Sequence, residues 1–159
     1  MKYFVFILLF VFSSCAATTK SINTYEEAIP RLHKCWQAKD IDCISKIYGN
    51  PTHENEKRVY LNSEGKEVLT VYLDENRNIY SMKLNLLSYT VKSVATIKKL
   101  LPSNDWKKFS VPEANPHVVN LAVVHFSKKL GAHFLTYKTD KSQEVKVLYW
   151  GGDHKKISI

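Results

Sequence analysis

The stretch Glu67–Leu87, EVLTVYLDENRNIYSMKLNLL, sets two runs of alternating apolar residues on either side of a turn-forming DENRN. Successive side chains of a strand point to opposite faces, so Leu69, Val71 and Leu73 share one side of the first run, and Tyr80, Met82, Leu84 and Leu86 share one side of the second. Asp and Asn bond to their own backbone in tight reversals, which makes Asp74–Asn78 a hairpin connection. A third run, Lys57–Leu61, precedes it across Asn62-Ser63-Glu64-Gly65. Three antiparallel strands with one covered face follow.

Upstream, the period changes to that of helices. Ser21–Glu27 carries Asn23 or Thr24 as a candidate cap, with Glu26 and Glu27 in the first turn. Leu32, Cys35 and Trp36 give an apolar side, and Ile41, Ile44 and Ile47 give a second short helix closed by Gly49 and Pro51. Cys35 and Cys43 are eight apart in LHKCWQAKDIDCISKIYG, a spacing that suits two short helices folded back at Lys39-Asp40 and joined by a disulfide. Two free buried thiols are the other reading. A zinc site needs more ligands than one cysteine pair supplies.

The order recurs downstream. Ser93–Leu101 has Val94, Ile97 and Leu101 on one side and stops at Pro102, and Asn104–Phe109 adds a candidate turn. Strands are expected at Val118–Ser127, Gly131–Thr139 and Gln143–Trp150, the last two joined through Asp140-Lys141-Ser142. The expected architecture is α+β: two helix-plus-three-stranded meander units, 25–87 and 91–151, in a single domain over 25–159. Union of the two meanders into one continuous sheet with helices on one face removes exposed strand edges and enlarges a core that each half alone would keep small.

The N-terminus sets the compartment. In MKYFVFILLFVFSSC, Lys2 precedes nine apolar residues and a small, polar Ser13-Ser14-Cys15-Ala16 segment. Nine residues are too few for a bilayer-spanning helix, which needs roughly 20. Residues 1–14 thus have the form of an export signal, with Cys15 placed as in a bacterial lipoprotein to become the lipid-bearing first residue and 15–24 acting as a tether; ordinary cleavage after Ala17 is the alternative, leaving a soluble secreted or periplasmic protein. Lipidation at Cys15 would put the protein on the periplasmic side of the outer membrane. Export also agrees with a Cys35–Cys43 bridge.

The 159 residues carry a formal charge of +8, of which Lys2 would leave with the signal. Such an excess favours an anionic neighbour, and export makes nucleic acid an unsuitable one.

At Asp42–Thr52, DCISKIYGNPT, and Val68–Asn78, VLTVYLDENRN, the chain resembles the SmpA/BamE family of small outer-membrane assembly lipoproteins, in which a helix ends in a Gly-x-Pro turn and a strand ends in an acidic turn. The resemblance rests on Gly49, Pro51, the strand Leu69–Leu73 and the turn Asp74–Asn78. The tandem arrangement is similar to the two-repeat secreted inhibitors of beta-lactamases. Both likenesses imply a non-catalytic protein that binds another protein through a sheet face or edge.

Catalytic constellations are sparse. No serine stands in a G-x-S-x-G elbow and no glycine-rich phosphate loop occurs, so no cofactor is expected. His125 and His133 could face one another across a hairpin through Lys128–Gly131, although a metal there would still lack a third ligand. Binding has better material: Tyr137, Lys146, Tyr149 and Trp150 alternate aromatic and basic groups through the last strands, with Lys138 beside them, and at least one ring of the Tyr149-Trp150 pair should reach the open face. Trp106 and Phe109 are expected to close the helix over the second meander. A membrane-anchored envelope protein with a protein partner is therefore the leading reading; an inhibitor of a toxin or hydrolase and a carrier of a small apolar ligand are the alternatives.

Overall fold

A computed structural model describes residues 24–54, 56–87, 93–110, 122–137 and 144–152. The leader, Cys15 and the tether up to residue 23 lie outside the described residues, as do the outer parts of the predicted strands at 118–121 and 138–143. The fold is α+β, with helices α1 (Tyr25–Ala38), α2 (Ile41–Tyr48) and α3 (Val94–Leu100). The strands are β1 (His53–Glu54), β2 (Lys57–Leu61), β3 (Glu67–Leu73), β4 (Ile79–Asn85), β5 (Lys107–Ser110), β6 (Ala122–Ser127), β7 (Ala132–Tyr137) and β8 (Val147–Gly151).

Thr24 starts α1 as its N-cap, accepting a hydrogen bond from the Glu27 amide at 3.4 Å. The helix ends at Lys39, whose φ of 53° is left-handed and whose amide returns to the carbonyls of Cys35 and Trp36. Asp40 then begins α2 at once, its carboxylate accepting from the amides of Asp42 (2.9 Å) and Cys43 (3.0 Å). A reversal this short sets Cys35 against Cys43, and the two form a disulfide across a Cα separation of 5.5 Å. Gly49, with φ 79°, ends α2.

The strands form one sheet in the order β1-β2-β3-β4-β8-β7-β6-β5, every neighbouring pair antiparallel. Each half supplies a meander running from an edge to the centre, and the final strands of the two halves, β4 and β8, pair over Ser81–Asn85 and Val147–Gly151. The continuous sheet of two meanders is thus as expected, but each meander has four strands. The additions are the two edges, β1 and β5, and β5 occupies part of the stretch read as a turn at Asn104–Phe109.

All three helices cover the same face. Ile29, Leu32 and Cys35 of α1, Ile44 and Ile47 of α2, and Ile97 of α3 join Leu69, Val71, Met82, Leu84, Phe134, Leu148 and Trp150 in one buried cluster. It spans both halves, so the sheet is bound together by a shared core. The face assignment in β4 differs from expectation at one point: Tyr72 pairs with Ser81 and Leu73 with Ile79, which leaves Tyr80 as the extra residue of a bulge. Ile79 therefore enters the core at 2% exposure while Tyr80 stands 60% exposed.

Candidate functional site

The face without helices is built by register. Thr70 pairs with Lys83, Lys83 with Tyr149, Tyr149 with His133, His133 with Phe126, and Phe126 with Lys107. Residues directly opposed across antiparallel strands share a face, so these six form a row running over β3, β4, β8, β7, β6 and β5. Tyr149 and His133 stack with ring centroids 4.9 Å apart and planes 5° from parallel. Phe126 meets Phe109 edge-on at 5.7 Å. Within the row three rings lie between Lys83 and Lys107, with Thr70 beyond Lys83; Thr70 and His133 are buried, and Tyr149 and Phe126 are half-buried.

Charge on this face is unevenly shared. Lys83 Nζ lies 3.2 Å from Glu67 Oε1, and the Thr70 hydroxyl donates to the same oxygen at 2.7 Å. The Thr70 hydrogen bond first, then Lys83 and more distant Lys57, hold the Glu67 carboxyl below its usual range. Lys57 lies opposite Tyr72, which is 38% exposed. Among the described residues in these registers, three lysines (Lys57, Lys83 and Lys107) stand against one carboxylate. Beside the ladder, a recess of about 160 Å³ opens among Phe126, Ser127, Lys128, Gly131, His133 and Gly152.

The residues expected to bind divide between the two faces. Tyr149 lies half-buried in the row. Trp150 is a correction: it is 0% exposed, lies within the core, and donates its indole N–H to His33 Nδ1 at 3.2 Å. Alternation turns Tyr149 and Trp150 to opposite faces, and the helices pack on the side of Trp150. Lys146 is exposed just before β8, where its carbonyl accepts the Leu86 amide at 2.8 Å. Tyr137 ends β7 opposite Ala122; its side chain and the whole of Lys138 lie outside the described residues.

His125 and His133 do not meet. His125 pairs with Phe134 and His133 with Phe126, so a one-residue offset sends the two imidazoles to opposite faces. On the helix side His125 stacks on Phe134 at 4.8 Å and shares a hydrogen bond with Thr136 at 3.2 Å. Burial first, then the charges of Lys98 and Lys108, push its pKa down to about 4. Among the described residues no group of three or more His, Cys, Asp or Glu side chains is placed to hold a metal. Trp106 does close α3 over the sheet, meeting Phe134 at a tilt of 54° with ring centroids 5.4 Å apart and donating to the Leu101 carbonyl at 3.1 Å. Phe109 does not, because β5 directs it to the open face.

Lys83, Phe126 and Lys107 were not singled out in the sequence, and His133 was singled out only as a candidate metal partner of His125, yet part of the signal was there. Folding the chain at Lys128–Gly131 already sets Phe126 opposite His133; joining that pair to Tyr149 and Lys83 requires knowing that β8 inserts between β4 and β7.

Among the described residues no helix is long and apolar enough to cross a membrane. No protein-family model matches the chain, and no curated protein matches it. Among solved structures it is similar to a DUF4309 family protein, YjgB, from Bacillus subtilis, with 12% identity over 80% of this chain and 97% of that one and a TM-score of 0.41.

Proposed function

We propose that the protein is a non-catalytic cell-envelope lipoprotein, anchored through Cys15 on the periplasmic side of the outer membrane, that binds another protein through the open face of its sheet. The observation that carries this reading is the ladder Lys83-Tyr149-His133-Phe126-Lys107, which crosses five strands of the face opposite the helices. Aromatic rings ordered by their neighbours lose little freedom on binding, and lysines at the margin add orientation. The leader supports the location, and the Cys35–Cys43 disulfide agrees with an oxidising compartment.

Gentle solubilisation after crosslinking in the native envelope tests both halves of the proposal. The unaltered chain should co-purify with one dominant stoichiometric partner. Tyr149→Ala with Phe126→Ala should lose that partner while still reaching the membrane, and Cys15→Ala should leave the membrane fraction. Retention of the partner by the face variant would rule the face out.

A further inference from the structure

Resting on the envelope location proposed above, we infer that a basic corner of the second half, made of Lys98, Lys99, Lys107, Lys108, Lys128 and Lys129, lies against the anionic phospholipid headgroups of the membrane that carries the anchor. The sequence divides its charge unevenly. Residues 24–87 hold nine Lys and Arg against ten Asp and Glu, whereas residues 88–159 hold twelve lysines against five Asp and Glu. The positive excess of the domain therefore belongs to its second half.

The fold gathers that excess where three segments meet: the last turn of α3, the start of β5 and the turn between β6 and β7. Trp106 joins the first two, its indole N–H donating to the Leu101 carbonyl at 3.1 Å while its ring lies 5.8 Å from Lys98 Nζ. Asp105 joins the second to the third, accepting from the Ser127 hydroxyl and from the Lys129 amide at 2.9 Å, and Lys129 Nζ donates to Asn104 Oδ1 at 3.2 Å. Register sets Lys107 opposite Phe126 and Lys108 opposite His125, one on each side of the edge strand. Lys98 is half-buried and the other five lysines are exposed. Among the described residues from 93 to 137 Asp105 is the one carboxylate. Hydrogen bonds from Ser103, Ser127 and the Lys129 amide keep it ionised, so it offsets one of the six cations and leaves the rest uncompensated.

Lysine is a point charge on a flexible stem, without the planar fork that reads one shaped acidic ligand, and a cluster of such charges suits a fluid array of headgroups that moves to meet it. The attraction fades over a Debye length of about 10 Å. Anchoring at Cys15 supplies the proximity, since residues 15–24 reach about 35 Å at full extension and let the domain turn this corner to the surface. Standing on its basic corner, the sheet keeps its open face turned sideways to the aqueous space, where a protein partner is met.

The test sediments the chain from residue 15 onward, carrying Cys15→Ala so that no lipid contributes, with vesicles of phosphatidylcholine alone or with about 30% phosphatidylglycerol. The anionic vesicles should carry the protein down at ~0.05 M salt and release it at ~0.5 M, and the phosphatidylcholine vesicles should leave it in solution. The triple variant Lys99→Gln, Lys108→Gln, Lys128→Gln changes exposed side chains and should bind about tenfold more weakly or worse; Lys99→Arg, Lys108→Arg, Lys128→Arg keeps the charge and should bind like the unaltered chain. Arg31→Gln, Lys34→Gln, Lys46→Gln removes the same charge from exposed positions on α1 and α2 and should stay within about twofold. Equal losses in the two Gln triples, equal binding to phosphatidylcholine, or binding of a Glu-rich peptide in place of the anionic vesicles would each overturn the inference. Tyr149→Ala with Phe126→Ala should bind the vesicles unchanged. Because no partner protein is present, failure to bind anionic vesicles removes the lipid contact and leaves the open-face reading standing, whereas loss of the partner's dependence on those two rings removes that reading and leaves the lipid contact.

Discussion

Trp150 and the two histidines of the helix side tie the core to pH. His33 accepts the buried Trp150 indole N–H through Nδ1, which requires a neutral imidazole at that atom, and burial lowers its pKa. The pKa of His125 is also lowered, to about 4 against an ordinary 6.5. In both cases the unfolded chain takes up its proton first, so each group loses stability as the solution is acidified below about pH 6.5, the His125 contribution as pH falls toward 4. For His125 the loss should be about 1–3 kcal/mol. Urea unfolding between those limits should show it, and His125→Gln should flatten the dependence; an unchanged acid slope would contradict the assignment. Trp150→Phe removes the donor and strands His33 Nδ1, at about 1–3 kcal/mol in the urea midpoint at pH 7. At Gly151 a Cβ would sit 2.5 Å from both a Trp36 ring carbon and the Tyr80 carbonyl, on a backbone with φ 70°, so Gly151→Ala should destabilise more than Gly65→Ala, where that φ is 75° but the space is open. The sequence makes Tyr149 and Trp150 visible as neighbours of opposite face, but which one is inside follows only from the side on which the helices pack.

At the scale of elements, the turn between α1 and α2 is the most tightly determined joint. A left-handed Lys39, an Asp40 cap with two amide donors and the Cys35–Cys43 bridge lie within a few residues of one another. Asp40→Ala should cost about 1 kcal/mol, read by denaturant titration. Removing the bridge with Cys35→Ser and Cys43→Ser should cost roughly 2–3 kcal/mol while leaving the sheet's far-UV signal in place. Both helices, their break and the six long strands were legible because each carries its period and its stop signals in one short segment. The short edge strands were not. β5 reads Lys-Lys-Phe-Ser and is exposed throughout, so it offers no alternation to detect, and pairing with β6 defines it. The bulge at Tyr80 was likewise hidden, since shifting one residue inverts a face assignment without altering composition.

At the scale of the whole molecule, the two meanders are halves of one structure. Phe134, Leu148 and Trp150 from the second half share a cluster with Ile29, Leu32, Met82 and Leu84 from the first, and β4 and β8 pair at the centre. The fragment 24–87 expressed alone should therefore remain largely unfolded, with poorly dispersed amide signals; a well-dispersed spectrum would show independent halves. The doubled order of elements was readable from recurring helix and strand periods, whereas the open-face ladder needs the join between the halves and becomes visible only in the assembled sheet. Its use as a protein-binding face is tested most directly by photo-crosslinking in cells, with a benzophenone side chain placed in turn at Phe109 and Tyr72 on the open face and at Lys34 and Lys99 on the helices. One discrete crosslinked product from the first two positions and none from the last two is the predicted result. Crosslinks of equal strength from both sides, or from the helices alone, would contradict it.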